Sequence, residues 1–489
     1  MVGRSLVEPR GNAYLIDRRT CADDFINTKQ GLGKLMVALG GVELVNDKVF
    51  CYLSSKDLCL LSMVSTCLWT LIEADDNLWR DLALGELAPA EVDRRMLALK
   101  AQHESGRRRN QWKMIATGNY VVHPTLQFGR LFCDSLQRVR QCAESEIKPE
   151  WISRTNVTRV NMKDLSKEEF IARFESKRLP VVITTDGQWF ANGIARWRHG
   201  LEAGMKTLDH VISKPFRAGP GTLSGLAFAK YSSLFSEETP LYIFDSEFGE
   251  KFPQLASDYQ VPNYFVGEGR DLFELFPGTT KDNIRPDYRW IIAGPAKSGS
   301  KWHVDPNCTH AWNVSLLGRK KWILLPPGQA PPVGVFPSPD GGSVAQPVSL
   351  TEWFLECYRE TKIQRGKDMI EFIADVGDLV FVPSGWWHCV LNLDESFAIT
   401  QNYVAKTNLG RALRFFDDKP DQISGLRRCG AGDFSTDRRS TFCAEFKALL
   451  PSDYLITTKK GEQIEGGGGF SWASLTAEKK NSSTFKFTF

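Results

Sequence analysis

The chain has 489 residues, of which 42% are hydrophobic and 24% are charged, and its formal net charge is +3. Because domains usually contain about 100–200 residues, this length predicts two or three folded units. The small charge argues against a nucleic-acid-binding protein, and no apolar run approaches the length of a membrane span. Eleven cysteines without a CxxC pair argue against zinc fingers and a disulfide framework, so we expect an intracellular protein with reduced thiols.

The first part of the chain changes character near residue 41. Residues 1–40 are rich in glycine and are predicted to be a weakly ordered lead-in. Residues 41–86 carry apolar residues at helical spacing and predict a small all-α domain of three short helices. Ser54-Ser55-Lys56-Asp57 is a plausible capping box for the second of these helices. A core this small is expected to need packing against a partner or against the next domain for stability.

The segment Asp57–Leu84 resembles an F-box in its leucine-rich helix and its closing Leu-Trp pair. It departs from that family at its start, where Gly41-Val42-Glu43-Leu44 replaces the usual Leu-Pro opening. The resemblance implies docking to the Skp1 adaptor of an SCF ubiquitin ligase. The alternative is a helical bundle that only stabilises the domain that follows.

Residues 87–147 are polar and are predicted to be a helical connector, and after them the sequence pattern becomes typical of β-strands. Residues 148–410 contain short apolar runs bounded by Gly, Pro, Asp and Ser, which predict a mainly β jelly roll with helical flanks. Examples of these runs are Val181-Val182-Ile183, Ile291-Ile292-Ala293 and Leu379-Val380-Phe381-Val382. A helical insert is expected at Leu350–Tyr358, closing helices within 411–456, and a flexible tail at 457–489.

Three residues have the chemistry of a metal site. In Trp302-His303-Val304-Asp305, an imidazole and a carboxylate lie on the same side of a predicted strand, because side chains alternate with period two. His388 follows a Pro383-Ser384-Gly385 turn within an apolar segment, where a neutral histidine needs a polar partner. Two histidines and a carboxylate on one side of an ion form the facial triad of non-haem iron(II) oxygenases. An H-x-D pair alone is a weak motif, since a surface histidine beside a turn aspartate gives the same pattern.

A possible anion site follows on the next strand. Lys320 and Lys321 come directly after the Leu317-Gly318-Arg319 turn, and alternation makes them face opposite ways. One of them must point toward an apolar interior and needs an anion, which the distal carboxylate of 2-oxoglutarate would supply. The alternative is an edge strand from which both lysines reach solvent. Thr400 and Asn402 share one face of a later strand, and the Thr400 hydroxyl is a second candidate for that carboxylate.

Longer motifs around these residues resemble the Jumonji-C (JmjC) oxygenases. They match the branch of arginine demethylases and lysyl hydroxylases that includes plant proteins with an F-box ahead of the JmjC domain. The motifs are Asp287–Pro327, Pro240–Asp245, Val382–His388 and Thr400–Tyr403. The resemblance spans Lys148 to Leu450 and implies a double-stranded β-helix (cupin jelly roll) that uses iron(II), 2-oxoglutarate and dioxygen.

The resemblance also implies residue roles. By position, iron is held by His303, Asp305 and His388, and Lys320 rather than Lys321 pairs with 2-oxoglutarate. Its supporting contacts match Asn313, Thr400, Tyr242 and Ser300. The substrate pocket matches Trp290 and Asn402, although a core role for Trp290 is an equal alternative. His310 is expected to be a solvent-facing loop residue rather than a fourth ligand.

The implied activity is demethylation of histone arginine, for example on the H4 tail, by a nuclear enzyme, with the cytoplasm as the alternative location. Protein lysyl hydroxylation is the runner-up. The alternative of another class is a ubiquitin-ligase substrate receptor that uses the oxygenase fold only for recognition. Oxidation of an N-methyl group releases formaldehyde, whereas oxidation of a ring or chain carbon leaves a stable hydroxyl, and the sequence does not separate these outcomes.

Overall fold

The computed structural model describes residues 49–454 apart from 64–67, 69–71, 74, 100–110, 120–133, 186–188, 209–210, 212, 277–284 and 427–435. The predicted lead-in at 1–40 and the predicted tail at 457–489 lie outside the described residues, as does the atypical start of the F-box-like segment. Within the described ranges, no helix is both long enough and apolar enough to cross a membrane.

The N-terminal part is helical. A 3₁₀ turn at Phe50–Tyr52 precedes the helices α1 (Ser55–Ser62), α2 (Asp76–Glu86), α3 (Pro89–Ala98), α4 (Gln111–Thr117) and α5 (Asp134–Glu144). The predicted capping box is present, because the Ser54 hydroxyl accepts from the Asp57 N–H and the Asp57 carboxylate accepts from the Ser54 N–H. Asp75 caps α2 in the same way by accepting from the Leu78 N–H.

Two sheets form the centre of the molecule. The strands are β1 (Thr158–Asn161), β2 (Val181–Thr184), β3 (Phe216–Ala218), β4 (Gly221–Leu223), β5 (Ile243–Asp245), β6 (Arg289–Gly294), β7 (Gly299–His303), β8 (His310–Leu317), β9 (Lys320–Leu325), β10 (Phe336–Pro337), β11 (Val344–Ala345), β12 (Ile370–Ala374), β13 (Leu379–Val382), β14 (Trp387–Asn392) and β15 (Ser396–Tyr403). The larger sheet has the order β1-β2-β13-β8-β15-β6-β5-β3-β4 and the smaller one β12-β9-β14-β7, while β10 and β11 pair separately. The predicted mainly β jelly-roll region is therefore present.

Helices flank these sheets. They are α6 (Pro149–Ile152), α7 (Lys167–Phe170), α8 (Ala191–Trp197), α9 (Leu201–Met205), α10 (Gly225–Leu234), α11 (Phe248–Lys251), α12 (Pro253–Ser257), α13 (Leu350–Glu356), α14 (Tyr358–Arg365), α15 (Leu409–Asp418) and α16 (Thr436–Leu449). The insert expected at Leu350–Tyr358 thus forms α13 and continues into α14. The closing helices expected after residue 410 correspond to α15 and α16.

Alternation along each strand separates the space between the sheets from their outer faces. On β9, Trp322 and Leu324 share one apolar cluster with Val380 of the larger sheet, so they point inward. Ile323 lies between them and belongs to a different cluster, which contains Trp353 of α13 and covers the outer face of the smaller sheet. The two lysines that begin β9 follow the same alternation, with Lys320 inward and Lys321 outward.

The N-terminal helices share a core with the larger sheet. Trp79 of α2, Met96 of α3 and Trp112 of α4 are buried in the same apolar cluster as Ile291 of β6. Helices α2 and α3 pack on β4, and α3 also packs on α10. Residues 87–147, predicted to be a polar connector, therefore contribute large buried side chains to the main core.

Strand β9 lies between β12 and β14, so the edge-strand alternative for its two lysines is wrong. The side chain of Lys321 is fully buried, and its Nζ lies 2.8 Å from Oε2 of the equally buried Glu371. The same carboxylate oxygen accepts from the Tyr358 hydroxyl at 2.9 Å. Lys321 therefore has a resident counter-ion on the outer face of the smaller sheet and is not available to a ligand.

We expect Glu371→Gln to destabilise the protein by about 3–5 kcal/mol, because it leaves the Lys321 ammonium buried without a carboxylate. The free energy of unfolding in urea measures this. The control is Asp394→Asn in the Arg319–Asp394 pair, whose side chains are 49% and 41% exposed, and whose loss should cost less than about 1 kcal/mol. Equal losses in the two variants would contradict the assignment.

Candidate metal centre and its cavity

The three predicted ligands come from the ends of two neighbouring strands. Strand β7 ends at His303, and Asp305 follows it in extended backbone with φ −58° and ψ 137°. His388 is the second residue of β14 and lies directly opposite His303 in the antiparallel pairing of β14 with β7. The turn before β14 contains Gly385 at φ +85°, a conformation that favours glycine.

The ligand atoms converge. The imidazole rings of His303 and His388 have their centroids 4.1 Å apart. Oδ1 of Asp305 lies 3.8 Å from Nε2 of His303 and 3.9 Å from Nε2 of His388. One ligand atom from each of the three residues lies within 4.8 Å of the others. These distances are too long for direct hydrogen bonds and leave room for an ion between them.

Backbone carbonyls orient both imidazoles. Nδ1 of His303 lies 2.7 Å from the Lys301 carbonyl oxygen, and Nδ1 of His388 lies 3.1 Å from the Trp386 carbonyl oxygen. Because a carbonyl oxygen only accepts, Nδ1 carries a proton in each ring, and Nε2 is the nitrogen that faces the space near Asp305. This is the arrangement that fixes the tautomer of metal-binding histidines.

The site fits a divalent cation. Burial lowers the pKa of His388 to about 4, with the neighbouring His303 acting in the same direction, so the His388 ring is neutral at pH 7 and loses no proton on binding metal. Oδ2 of Asp305 is buried and has no hydrogen-bond partner among the described residues. Two imidazoles and one carboxylate on one side of the space are the donor set of a non-haem iron(II) centre.

The expectation for His310 is wrong. It is the first residue of β8 and is fully buried rather than facing solvent. Its Nδ1 accepts from the Ser384 N–H at 2.9 Å, and the Ser384 hydroxyl donates to the Cys308 carbonyl at 2.8 Å. His310 therefore anchors the turn ahead of His388, a role that depends on strand pairing distant in sequence.

All ten predicted site residues line one cavity of about 320 Å³ between the two sheets. They are Tyr242, Trp290, Ser300, His303, Asp305, Asn313, Lys320, His388, Thr400 and Asn402. The structure thus brings together side chains separated by up to 160 positions, from Tyr242 to Asn402, while the role of each remains a prediction.

Lys320 brings a buried cation to this cavity. Its Nζ donates to the Asn392 side-chain oxygen at 2.6 Å and to the Ser396 hydroxyl at 3.1 Å, and both partners are neutral. Burial lowers the pKa of Lys320 to about 7. Within the described ranges, the partners of this ammonium are neutral, so it fits the carboxylate of a ligand, as the resemblance implies for Lys320 rather than Lys321.

Hydroxyl and amide groups complete this end of the cavity. The Thr400 hydroxyl donates to the Trp312 carbonyl at 3.0 Å, which leaves its oxygen lone pairs for another donor. The hydroxyls of Tyr242 and Ser300 are hydrogen-bonded to each other, and burial raises the pKa of Tyr242. The Asn402 amide donates to the Thr309 hydroxyl at 3.0 Å.

Sequence reasoning missed residues that line the cavity, among them Phe244 and Asp287, and it also missed Asn392, which accepts a hydrogen bond from Lys320. Asn392 follows His388 at a spacing of four along β14, and period-two alternation could have placed both on the inner face. The same rule pairs Phe244 with Tyr242, two residues earlier. Asp287 also lines the cavity, but it lies in a loop before β6, where no periodicity indicates its direction.

Comparison with known proteins gives the following matches. A family model described as JmjC domain, hydroxylase, matches residues 290–403. The arginine-specific demethylase JMJ22 of Arabidopsis thaliana is 40% identical over 99% of this chain and 88% of its own length. The lysine-specific demethylase JMJ21 of the same plant is 31% identical over 88% of this chain and 44% of its own length. The bifunctional arginine demethylase and lysyl-hydroxylase psr-1 of Caenorhabditis elegans is 34% identical over 52% of this chain and 63% of its own length.

The metal site predicts a metal-dependent gain in stability. At a Mn²⁺ concentration of about 100 times its Kd, the full chain should gain about 2.7 kcal/mol, measured as a rise in the thermal midpoint. Asp305→Asn and His388→Ala each remove a ligand and should abolish this gain. His199→Ala changes an exposed histidine elsewhere and should retain it. A full gain in either ligand variant would exclude the site.

Lys320 predicts that 2-oxoglutarate binding depends on pH. Because the pKa of Lys320 in the ligand-free protein is lowered to about 7, binding of the dianion above that pH requires uptake of a proton. Affinity should therefore fall by about tenfold for each pH unit above about 7. Calorimetric titration with Mn²⁺ in place of iron, in buffers of different ionisation enthalpy, measures both affinity and proton uptake. Lys320→Met should lose most of the affinity, and a pH-independent affinity in the unchanged protein would contradict the assignment.

Proposed function

Because the chain belongs to the JmjC-domain family of iron(II)- and 2-oxoglutarate-dependent oxygenases, we propose that it removes methyl groups from arginine side chains of proteins. One observation supports this most directly. The triad of His303, Asp305 and His388 and the buried cation of Lys320 line the same cavity, so a metal ion and a dicarboxylate fit there together.

The proposed role of each residue follows from the chemical group that it brings to the cavity. His303, Asp305 and His388 would hold iron(II), and Lys320 would pair with the far carboxylate of 2-oxoglutarate through a charge-assisted hydrogen bond. When bound, iron(II), 2-oxoglutarate and dioxygen supply oxidation of a C–H bond, with succinate and carbon dioxide as co-products. The protein itself would orient the substrate and hold the three ligand side chains and Lys320 in place.

Aromatic rings at the cavity support a planar cationic substrate. Phe244 and Trp290 both line it, with their rings stacked at 5.3 Å and 20° between planes, and Phe244 is 44% exposed. A guanidinium is planar and weakly hydrated, so it stacks on aromatic faces more readily than a compact ammonium does. The relative that matches nearly the whole chain is named an arginine-specific demethylase. We therefore favour methylated arginine over methylated lysine.

A histone tail is the substrate that we propose, and the H4 tail is the first choice. Such tails are extended and basic, which suits a side chain that must reach between two sheets. A histone substrate also implies that the protein acts in the nucleus. Microscopy of the tagged full chain tests that location.

Protein lysyl hydroxylation is the second candidate, supported by the bifunctional name of one relative. The two activities give different products. Demethylation releases formaldehyde and replaces an N-methyl group by N–H, so the peptide loses the mass of one CH₂ group. Hydroxylation adds one oxygen atom to the peptide and releases no formaldehyde.

The full chain with iron(II) and 2-oxoglutarate is expected to convert an H4 peptide bearing methylarginine. Mass spectrometry of the peptide, together with assays of succinate and formaldehyde, measures the reaction. Asp305→Asn should abolish all three signals, because it removes a metal ligand. An oxygen gain on unmethylated lysine would support the second candidate, and removal of methyl groups only from lysine would contradict the choice of arginine.

The N-terminal helices support a separate proposal, docking to a Skp1-type adaptor. Apolar side chains near α1 are exposed, with Tyr52 at 81%, Leu60 at 57% and Met63 at 81%. Exposed apolar groups at neighbouring positions are typical of a surface that a partner covers. The F-box-like sequence of this segment indicates the adaptor as that partner.

Leu60→Asp is expected to abolish co-purification with Skp1, because a charge would be buried in the contact. The matched control is Ile363→Asp on α14, an apolar residue 67% exposed and far from α1 in sequence, which should leave binding unchanged. Absence of Skp1 binding by the unchanged chain would favour a purely structural role for these helices.

A further inference from the structure

A buried polar cluster joins the N-terminal helices to the oxygenase region. It consists of Arg80 of α2, Trp112 of α4, Tyr231 of α10 and Glu237, and we call it the Glu237 cluster. One carboxylate oxygen of Glu237 accepts from the Trp112 indole N–H, and the other accepts from the Tyr231 hydroxyl at 2.6 Å. Nη1 of Arg80 lies 3.5 Å from the second oxygen.

The cluster cannot be satisfied by the oxygenase region alone. Glu237 is only 5% exposed, and burial raises its pKa, while the nearby Arg80 opposes that rise. A buried carboxylate needs a counter-ion and hydrogen-bond donors. For Glu237 the counter-ion is Arg80 of α2, and one of the two donors described above is Trp112 of α4. The N-terminal helices therefore complete a charged site that lies in the chain just ahead of β5.

The same cluster holds the backbone that leads into the cavity. Nη1 of Arg80 donates to the Thr239 carbonyl at 3.0 Å. The Tyr231 hydroxyl, which donates to Glu237, accepts from the Leu241 N–H at 2.6 Å. The next residue is Tyr242, whose partly buried side chain lines the cavity and is hydrogen-bonded to Ser300. Two hydrogen bonds from the cluster thus hold residues 239–241, the approach to a predicted 2-oxoglutarate contact.

We infer that Arg80 and Trp112 are positioning residues for the 2-oxoglutarate pocket, acting through the Glu237 cluster on the backbone that carries Tyr242. The inference rests on the proposed function, since Tyr242 matters here as a contact of the cosubstrate. It assigns the N-terminal helices a part in cosubstrate binding that is independent of any adaptor.

The test uses full-length Arg80→Gln, which removes the cation and shortens the side chain. Calorimetric titration with Mn²⁺ in place of iron measures metal and 2-oxoglutarate affinities without turnover. We expect 2-oxoglutarate affinity to fall by about tenfold, a change of about 1.4 kcal/mol. Mn²⁺ affinity should be unchanged, because the metal ligands lie on β14, at the end of β7 and directly after it. The KM for 2-oxoglutarate should rise in step while kcat changes little, and amide exchange of residues 237–242 should become faster.

Further variants separate positioning from general stability. Tyr231→Phe removes the acceptor of the Leu241 N–H and one donor to Glu237, while it keeps the aromatic ring that contacts Trp112 and leaves Arg80 in place. It should reproduce the selective loss even if Arg80→Gln folds poorly. Arg80→Lys keeps a cation and should restore most of the affinity. The matched control is Arg94→Gln on α3, where the arginine side chain is 67% exposed in a surface pair with Glu91, and it should bind like the unchanged protein.

The outcomes are distinguishable. Unchanged 2-oxoglutarate affinity in both Arg80→Gln and Tyr231→Phe would overturn the inference while leaving the proposed function intact. Parallel loss of Mn²⁺ and 2-oxoglutarate affinity, with a lower thermal midpoint, would also overturn it by showing general destabilisation. Failure of the unchanged protein to bind 2-oxoglutarate would instead overturn the proposed function.

Discussion

Polar atoms in the space between the two sheets must find partners there, and this constraint determines the chemistry of the site. His303 and His388 donate their Nδ1 protons to backbone carbonyls, so their Nε2 atoms are the ones that face Asp305. Lys320 donates to the amide oxygen of Asn392 and to the hydroxyl of Ser396. Neither partner is charged, and none of the described acidic side chains pairs with this lysine. A cation fits the first group and an anion fits the second, and both lie in one cavity.

Strand alternation explains why so much of the site could be predicted from sequence. Period two puts His303 and Asp305 on one side, and the same rule divides Lys320 from Lys321 once the strand is known to be central. Strand alternation alone did not say which of the two lysines is available to a ligand. The pairing of Lys321 with Glu371 leaves Lys320 as the candidate. The family resemblance supplied the remaining lining residues, and the structure places each of them at the cavity.

What escaped prediction depends on contacts between residues distant in sequence. His310 looked like a loop residue because nothing near it in sequence indicates that it supports the turn before His388. Residues 87–147 looked like a polar connector because α3 and α4 each bury only one face, through a few large residues such as Met96 and Trp112. Periodicity reports which face of an element is apolar, but not which distant element covers that face.

The continuous core of the N-terminal helices and the larger sheet has a consequence for how this gene can evolve. A recombination event that moved the oxygenase portion alone would expose the surface now covered by Trp79 and Trp112. It would also remove Arg80, the counter-ion of Glu237. Such a fragment would carry an aggregation-prone patch and an unbalanced buried acid. The two portions are therefore expected to be inherited as a single unit, and inserted sequences should be tolerated between elements rather than at the boundary between the portions.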